Sequence, residues 1–336
     1  MNTNTLRALA LACLPLLAFG CKKESSFDKL NRGATDETPS ADDPVQLEVT
    51  ADKAAKLGED IVFHVKLTNS GKSPVQVNVP RIDRRSLTLR VRHGDGAVAK
   101  VERIHATLGP RLEFIYDAPD AKQLAAGESF TTDVPVLAVE TGKLAFTPSY
   151  VRQGAASALV GSTIEVDVAP ADPAAPRLGV KMETSFGSVT AVFRPDVAYN
   201  TVESFASLVK RSFFTGLKFH RIVAGFMAQG GDKEGTGGGP SPYYLPLEAN
   251  RALRHTRGVL SMARTNNPDT SGTQFFLMFA PNSGLDGQYT AFGEMLEGEE
   301  TLKKLEKVPC GPGGDGAMSA PKQDVLILRA NLVHVK

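Results

Sequence analysis

Over residues 45–168, apolar and polar positions alternate with a period of two. The segments are "VQLEVTA", "DIVFHVKLTN", "VQVNV", "SLTLRVRH", "SFTTDVPVLAV" and "STIEVDVA". Successive side chains of a strand point to opposite faces, so this alternation predicts half-buried strands. Turn signals at Asn69-Ser70-Gly71 and Gly94-Asp95-Gly96 separate them. Short strands at this spacing, with no helical stretch among them, predict an antiparallel β-sandwich.

The pattern changes over residues 178–336. "LGVKMETSFGSVTAVFRP" predicts a hairpin turning at Phe186-Gly187-Ser188. In "NTVESFASLVKRSFF", Val202, Phe205, Ala206 and Val209 recur at i, i+3, i+4 and i+7, the stripe of one amphipathic helix, and Asn200 and Glu203 are spaced as a capping box. Strands are predicted at 218–223, 226–229, 258–264, 273–279 and 290–295, then a charged helix at "GEETLKKLEK" and a last strand at "DVLILRANLVHV". This half therefore predicts an eight-stranded antiparallel barrel, closed and capped by two helices, in a chain that is mostly β. Between the halves, "APADPAAPR" at 169–177 reads as a stiff Pro/Ala linker, and the polar stretch 22–44 reads as a flexible tether.

The first residues, "MNTNTLRALALACLPLLAFGC", carry one basic residue, Arg7, and an apolar run from Ala8 to Phe19. That run is shorter than the roughly 20 residues of a transmembrane helix and fits a secretory signal. "LAFGC" resembles the lipobox of bacterial lipoproteins, so 1–21 reads as a signal peptide ending at Cys21. The resemblance implies lipidation of Cys21 and an extracytoplasmic, membrane-anchored place in the cell envelope. Lys22, where an Asp often retains such proteins at the inner membrane, points to the outer one. Several acyl chains on one cysteine anchor stably.

Composition narrows the function classes. The 336 residues are enough for about two domains. A net charge of +1 gives no broad field for nucleic acid. The six histidines never fall at a metal-ligand spacing, so neither metal nor cofactor is expected. Once the leader with Cys13 and Cys21 is set aside, Cys310 stands alone and no internal disulfide can form.

The chemistry-bearing stretch is "FHRIVAGFMAQGGD". It sets Arg221 among Phe219, Ile222, Val223, Phe226 and Met227, with Gln229 close behind and no Ser, Cys or Lys nucleophile. Met227 and Gln229 share one strand face, as do Gln274 and Phe276 in "GTQFFLMF". If these faces meet Arg221, they form a shallow apolar pocket rimmed by one cation and two amides. Asp232 and Glu234, following glycines, are expected to be solvated. His220 faces the other side of its strand and is expected to be structural. "GTGGG" lacks the Lys and Ser/Thr of a phosphate loop.

One reaction suits that inventory. Rotation about an X-Pro bond breaks no covalent bond, and its barrier of roughly 18–20 kcal/mol is amide resonance. At the twisted midpoint the proline nitrogen carries a localised lone pair. A guanidinium donating to it binds the midpoint better than either planar state.

The C-terminal half is similar to cyclophilin-type peptidyl-prolyl cis–trans isomerases. The similarity is carried in order by "FHRIVAGFMAQGGD", "GTGGG", "GVLSMAR", "GTQFFLMFAP" and "LDGQYTAFGEM". It implies a catalytic Arg221, assisted by Phe226 and Gln229, and a proline pocket of Phe226, Met227, Phe276 and Leu285. It further implies polar contacts from Gln229 and Gln274 and a small substrate-facing residue at Ala263. Arg264 falls where many members have Asn acting through its backbone, and Tyr289 where some have His. Gly284 replaces a Trp that contributes to cyclosporin binding in many members. The implied partners are proline-containing unfolded or folding polypeptides, and the implied role is to speed proline-limited folding of exported proteins. The alternative is a proline-segment binding module or an envelope scaffold whose isomerase activity is incidental. "LGEDIVFHVKLTNSGKSPVQV" resembles the opening strands of bacterial Ig-like modules and implies a spacer or docking surface.

Overall fold

The alternation of the N-terminal half folds into two facing sheets. One holds Val45–Ala51, Asp60–Asn69 and Ser129–Leu137 in that order; the other runs Ala54–Lys56, Ile164–Ala169, Gly142–Tyr150, Leu87–Arg92, Val98–Val101. Ile61, Phe63, Val65 and Leu67 turn inward from the first sheet, and Leu89, Val91, Leu144 and Phe146 from the second. Phe63 meets Phe146 edge-on across the gap, ring centroids 5.1 Å apart. The buried Tyr150 hydroxyl accepts from the Asn78 amide at 2.8 Å and donates to the Asn78 carbonyl at 2.7 Å, tying the short strand Val75–Asn78 to this core.

Two features depart from the expected all-antiparallel sandwich. Gly142–Tyr150 is a central strand that the alternation did not single out. Ala54–Lys56 pairs in parallel with Ile164–Ala169. Only Asp52 and Lys53 part it from Val45–Ala51, so the chain steps from one sheet to the edge of the other. A three-residue edge strand shows no periodicity to read.

The computed structural model describes residues 43–336 except 83–85, 94–95, 104–105, 109–113, 117–119, 153–154 and 156. The signal peptide, Cys21, the tether up to residue 42 and the Gly94-Asp95 turn lie outside the described residues. No helix among the described residues is long and apolar enough to cross a membrane.

The strands of the C-terminal lobe are numbered here β1 (Arg177–Thr184), β2 (Gly187–Phe193), β3 (Arg221–Val223), β4 (Met227–Gly230), β5 (Val259–Met262), β6 (Phe275–Met278), β7 (Ala291–Glu297) and β8 (Ile327–Val335). They form one sheet in the order β3-β4-β6-β5-β7-β2-β1-β8, every pair antiparallel. The sheet curls into a half-barrel rather than the fully closed barrel expected. Its two edges meet where Phe219 N–H donates to the Val325 carbonyl (2.8 Å), Ile327 N–H to Leu217 (2.7 Å) and Gly216 N–H to Ile327 (2.8 Å). With only three residues, β3 cannot ladder along the nine of β8.

Helix α1 (Pro195–Lys210) covers the curled sheet, with Val202, Phe205, Ala206 and Val209 buried as their spacing predicts. Phe205 stacks near Phe214 (4.7 Å) and contacts Phe292 (4.8 Å) and Phe275 (5.2 Å), an aromatic centre for the lobe. A second helix, α2 (Glu299–Glu306), packs Leu302 and Leu305 into the same core.

The capping box is not formed. The helix starts at Pro195 and breaks at Ala198, where φ is −154° and ψ 62°. Beyond the break the Glu248 carboxylate accepts from the amides of Asn200 (2.9 Å) and Thr201 (2.7 Å), supplying the cap from a loop. Asn200 and Glu203 instead reach the N-terminal lobe. Asn200 Oδ1 accepts from Glu102 N–H (3.0 Å) and Arg103 Nη1 (2.5 Å). Glu203 pairs with Arg103 Nη2 and accepts from Leu137 N–H at 3.1 Å. Arg103, Asn200 and Glu203 are all buried, so the two lobes join through a desolvated polar seam.

Candidate functional site

Register assembles the site. On the antiparallel ladder Arg221 of β3 lies opposite Gln229 of β4, and Gln229 lies opposite Phe276 of β6. Directly opposed residues point to the same face, so three strands place a cation, an amide and a phenyl ring in one row. Met227, two residues before Gln229, joins that face.

Beneath the row lies an apolar cluster separate from the main core. Met227, Leu253, Val259, Phe276, Met278 and Ala291 are buried in it, and Phe226, Ala263, Leu285 and Tyr289 pack partly exposed around it. Leu285 comes from the 3-10 turn Ser283–Leu285, capped by the Asn282 side chain. Tyr289 stands edge-on to Phe276, centroids 6.0 Å apart, and the Arg264 guanidinium lies 4.3 Å over the Tyr289 ring. The structure thus brings together the ten barrel residues named from the sequence. Arg264 contributes its side chain to the Tyr289 wall rather than to the floor.

The polar rim is a relay. Arg221 Nη1 donates to Gln229 Oε1 (3.3 Å), Gln229 Nε2 to Gln274 Oε1 (2.9 Å), and Gln274 Nε2 to the Gly237 carbonyl (3.1 Å). The glycine-rich loop is what holds that last acceptor. Asp232 accepts from the amides of Gly237 (2.6 Å), Thr236 (2.9 Å), Glu234 (3.1 Å) and Gly239 (3.4 Å). Asp232 is only 2% exposed, so the expectation that it is solvated is corrected; Glu234 is exposed as expected. Burial opposes the Asp232 charge, but those amides outweigh it and hold the carboxyl below its usual range. Gly231 at the loop's start has φ +87°, and a Cβ there would fall 2.3 Å from the Thr273 carbonyl.

Sequence reasoning missed the partner of Arg221 on the other side. Its Nε donates to Asp315 Oδ2 at 2.6 Å, from the turn inside "PCGPGGDG". Burial opposes the Asp315 charge as well, yet bonds from Ser319 Oγ (2.6 Å), Arg221 and Ala317 N–H (3.1 Å) hold the carboxyl down at about 2. Arg221 Nη2 has no partner among the described residues. The side chain is 32% exposed, so this donor is open to a ligand.

A second missed cluster looks like hydrolytic chemistry and is not placed for it. His255 lies 3.0 Å from Asp286 through Nδ1 and 2.9 Å from Ser261 Oγ through Nε2. Ser261 is 0% exposed, so no substrate can reach it. His255 instead lies nearly parallel to Phe276 at 6.2 Å and braces the floor from below. His220 packs against Gly237 of the glycine-rich loop, its ring nitrogens buried and without partners among the described residues.

Burial lowers the pKa of both His220 and His255. On acidification the unfolded chain therefore takes up protons first, below about pH 6.5. Stability should fall as pH drops through and below that value, until the folded histidines also protonate. A urea midpoint clearly lower at pH 5.5 than at 7.5 is expected; equal midpoints would contradict it.

Next to the rim, a cavity of about 370 Å³ is lined by Gln229, Gln274, Ala263, Arg264 and Tyr244. The ensemble sets the open Nη2 of Arg221 beside an apolar concavity and a chain of amides. That is equipment for binding and polarising a ligand.

Comparison with known proteins agrees with this inventory. The family model "Cyclophilin type peptidyl-prolyl cis-trans isomerase/CLD" matches residues 179–332. Peptidyl-prolyl cis-trans isomerase-like 1 of Gibberella zeae is 37% identical over 159 residues, covering 46% of this chain and 94% of that protein. Peptidyl-prolyl cis-trans isomerase CYP18-2 of Arabidopsis thaliana is 39% identical over 158 residues, covering 46% and 93%. Peptidyl-prolyl cis-trans isomerase-like 2 of Cryptococcus neoformans is 43% identical over 150 residues, and there the chain spans only 25% of the relative's length. A crystal structure of a cyclophilin type isomerase from Cryptosporidium parvum is 28% identical, with a TM-score of 0.43, covering 47% of this chain and 98% of that one. The chain belongs to the cyclophilin-type peptidyl-prolyl cis–trans isomerase family.

Proposed function

We propose that this chain catalyses cis–trans rotation of X-Pro bonds in exported polypeptides from a lipid-anchored position in the cell envelope. The observation that carries the catalytic part is the unpartnered Nη2 of Arg221 beside the apolar floor of Met227 and Phe276. The pyrrolidine ring seats on that floor, with Phe226 and Leu285 as walls. Gln229 and Gln274 face the carbonyl side of the imide. As the bond twists, the nitrogen lone pair localises and accepts from Arg221, a bond that neither planar isomer can make. Only this differential lowers the barrier.

The test is exchange spectroscopy on an X-Pro tetrapeptide with the full chain at catalytic concentration. Exchange far faster than the uncatalysed tens to hundreds of seconds is expected. Saturable binding without acceleration would leave only the proline-binding module.

The envelope part rests on the leader ending in "LAFGC" and the polar stretch 22–44. The lipidated Cys21 anchors the protein at the outer membrane, and an Ig-like lobe over 45–168 stands between that anchor and the isomerase lobe at 178–336. Cys21→Ser should move the protein from the membrane fraction to the soluble one. Continued sedimentation with membranes would remove this part of the reading and leave the catalytic part untouched.

A further inference from the structure

Arg221 sits on a three-residue strand at the edge of the sheet, with a long side chain that is 32% exposed. An arginine side chain carries about 2 kcal/mol of rotamer entropy, so without restraint its guanidinium samples solvent. Three contacts restrain it. Nη1 donates to Gln229 at a long 3.3 Å and to the weak acceptor Met227 Sδ at 3.9 Å, and the bond from Nε to Asp315 is short and charge-assisted at 2.6 Å. The stronger contact is therefore the one outside the pocket.

Asp315 is itself held in place. Its Oδ1 accepts from Ser319 Oγ and Ala317 N–H, and its turn closes through Gly313 N–H to the Ala317 carbonyl at 2.8 Å. The turn tips a hairpin of Cys310–Pro312 and Met318–Pro321. A Cβ on Gly313 would lie 2.1 Å from Ser319 Oγ, and Gly316 has φ +77°, so the glycines of this segment let the turn close tightly. The mode of grip matters as well. A carboxylate forked across the Nη pair would occupy the donors that catalysis needs. Asp315 takes Nε and leaves Nη2 unoccupied.

We infer that Asp315 is a positioning residue for Arg221: its carboxylate, presented by the 313–319 turn, holds the guanidinium by Nε so that Nη2 is left for the twisting imide. This role rests on the isomerase reading above. Asp315 touches no substrate atom; it acts through Arg221, by removing orientations in which the donor misses the imide nitrogen. The carboxyl stays ionised at every pH at which the protein would work.

The experiment compares the full wild-type chain with Asp315→Ala and Asp315→Asn in tetrapeptide exchange, alongside NMR of the Arg221 Nε–Hε cross-peak. Asp315→Ala should lower kcat about tenfold with KM within about twofold and an unchanged melting temperature. Asp315→Asn has one amide oxygen for the two sides that the carboxylate serves, and facing it to Nε sets its NH2 against Ala317 N–H, so its kcat should fall between those of Asp315→Ala and the wild type. The cross-peak should be downfield and slowly exchanging in the wild type and collapse in Asp315→Ala. Wild-type kcat in Asp315→Ala overturns the inference. A wild-type chain that keeps the protected cross-peak but shows no turnover would remove the isomerase reading and the positioning role together, while leaving the grip itself observed. A cross-peak unprotected in an active wild type would remove the inference alone.

Discussion

Replacing Arg221 with alanine should lower kcat/KM for X-Pro isomerisation by about tenfold or more, at least roughly 1.4 kcal/mol of midpoint stabilisation. The substitution removes the donor proposed to reach the imide nitrogen and leaves the neighbouring groups in place. Asp315 keeps its bonds to Ser319 and Ala317, and Gln229 keeps Gln274, so the site's frame should persist. The floor of Met227 and Phe276 is untouched, and the loss should therefore fall mainly on kcat. Arg221→Lys makes the argument sharper. A lysine restores the charge but offers no Nε grip for Asp315 together with a separate free donor, so it should resemble alanine more than arginine. Exchange spectroscopy on the full chain reads both variants, with the melting temperature as control for folding. Equal rates in wild type and Arg221→Ala would defeat the mechanism outright.

The site's apolar part was legible because strand periodicity decides which residues share a face. Met227 with Gln229, and Gln274 with Phe276, could be paired on paper. The register that sets Gln229 between Arg221 and Phe276 could not, because pairing partners are tertiary information. Asp315 was illegible for a similar reason. It lies 94 residues from Arg221 in a glycine-rich turn with no pattern of its own. Asp232 shows a different failure. Its neighbouring glycines read as solvated loop, yet the amides of Gly237 and Gly239 are among the donors that allow its burial.

In the fold, the long alternating run Asp60–Asn69 declared itself, whereas Gly142–Tyr150 did not. Its inward residues Leu144, Phe146 and Tyr150 do alternate, but Pro148 lies among them, and a proline argues against a central strand. Here the proline faces Leu89 in the ladder, and its carbonyl accepts from Gly161 N–H at 3.0 Å. The spacing of Asn200 and Glu203 fits a capping box. Both side chains are taken by Arg103, 97 and 100 residues away, a competition invisible to local sequence.

That competition underlies the largest stability effect expected. Arg103→Ala should cost about 3–5 kcal/mol, the usual penalty for breaking a buried ion pair by removing one partner. Arg103 is 6% exposed and Glu203 4%, so the pair is largely desolvated. The arginine also donates to Asn200 and lies 5.3 Å over the Tyr243 ring, so its removal opens the seam on three sides. Glu203 keeps bonds from Leu137 N–H and Ser207 Oγ, which limit the loss but do not balance its charge. Replacing both members with methionine tests whether charge or connection matters. An isolated buried pair often tolerates such an exchange. Here Leu137 N–H would lose its acceptor, so the double variant should remain destabilised by about 1–3 kcal/mol. Against a typical total of roughly 5–15 kcal/mol, the single substitution should shift the urea midpoint strongly. It should also split a common transition into two, since the pair ties α1 to residues 102–103 and 137 of the other lobe. An Arg103→Ala protein within about 1 kcal/mol of wild type, unfolding in one step, would show that the lobes are held by apolar packing instead.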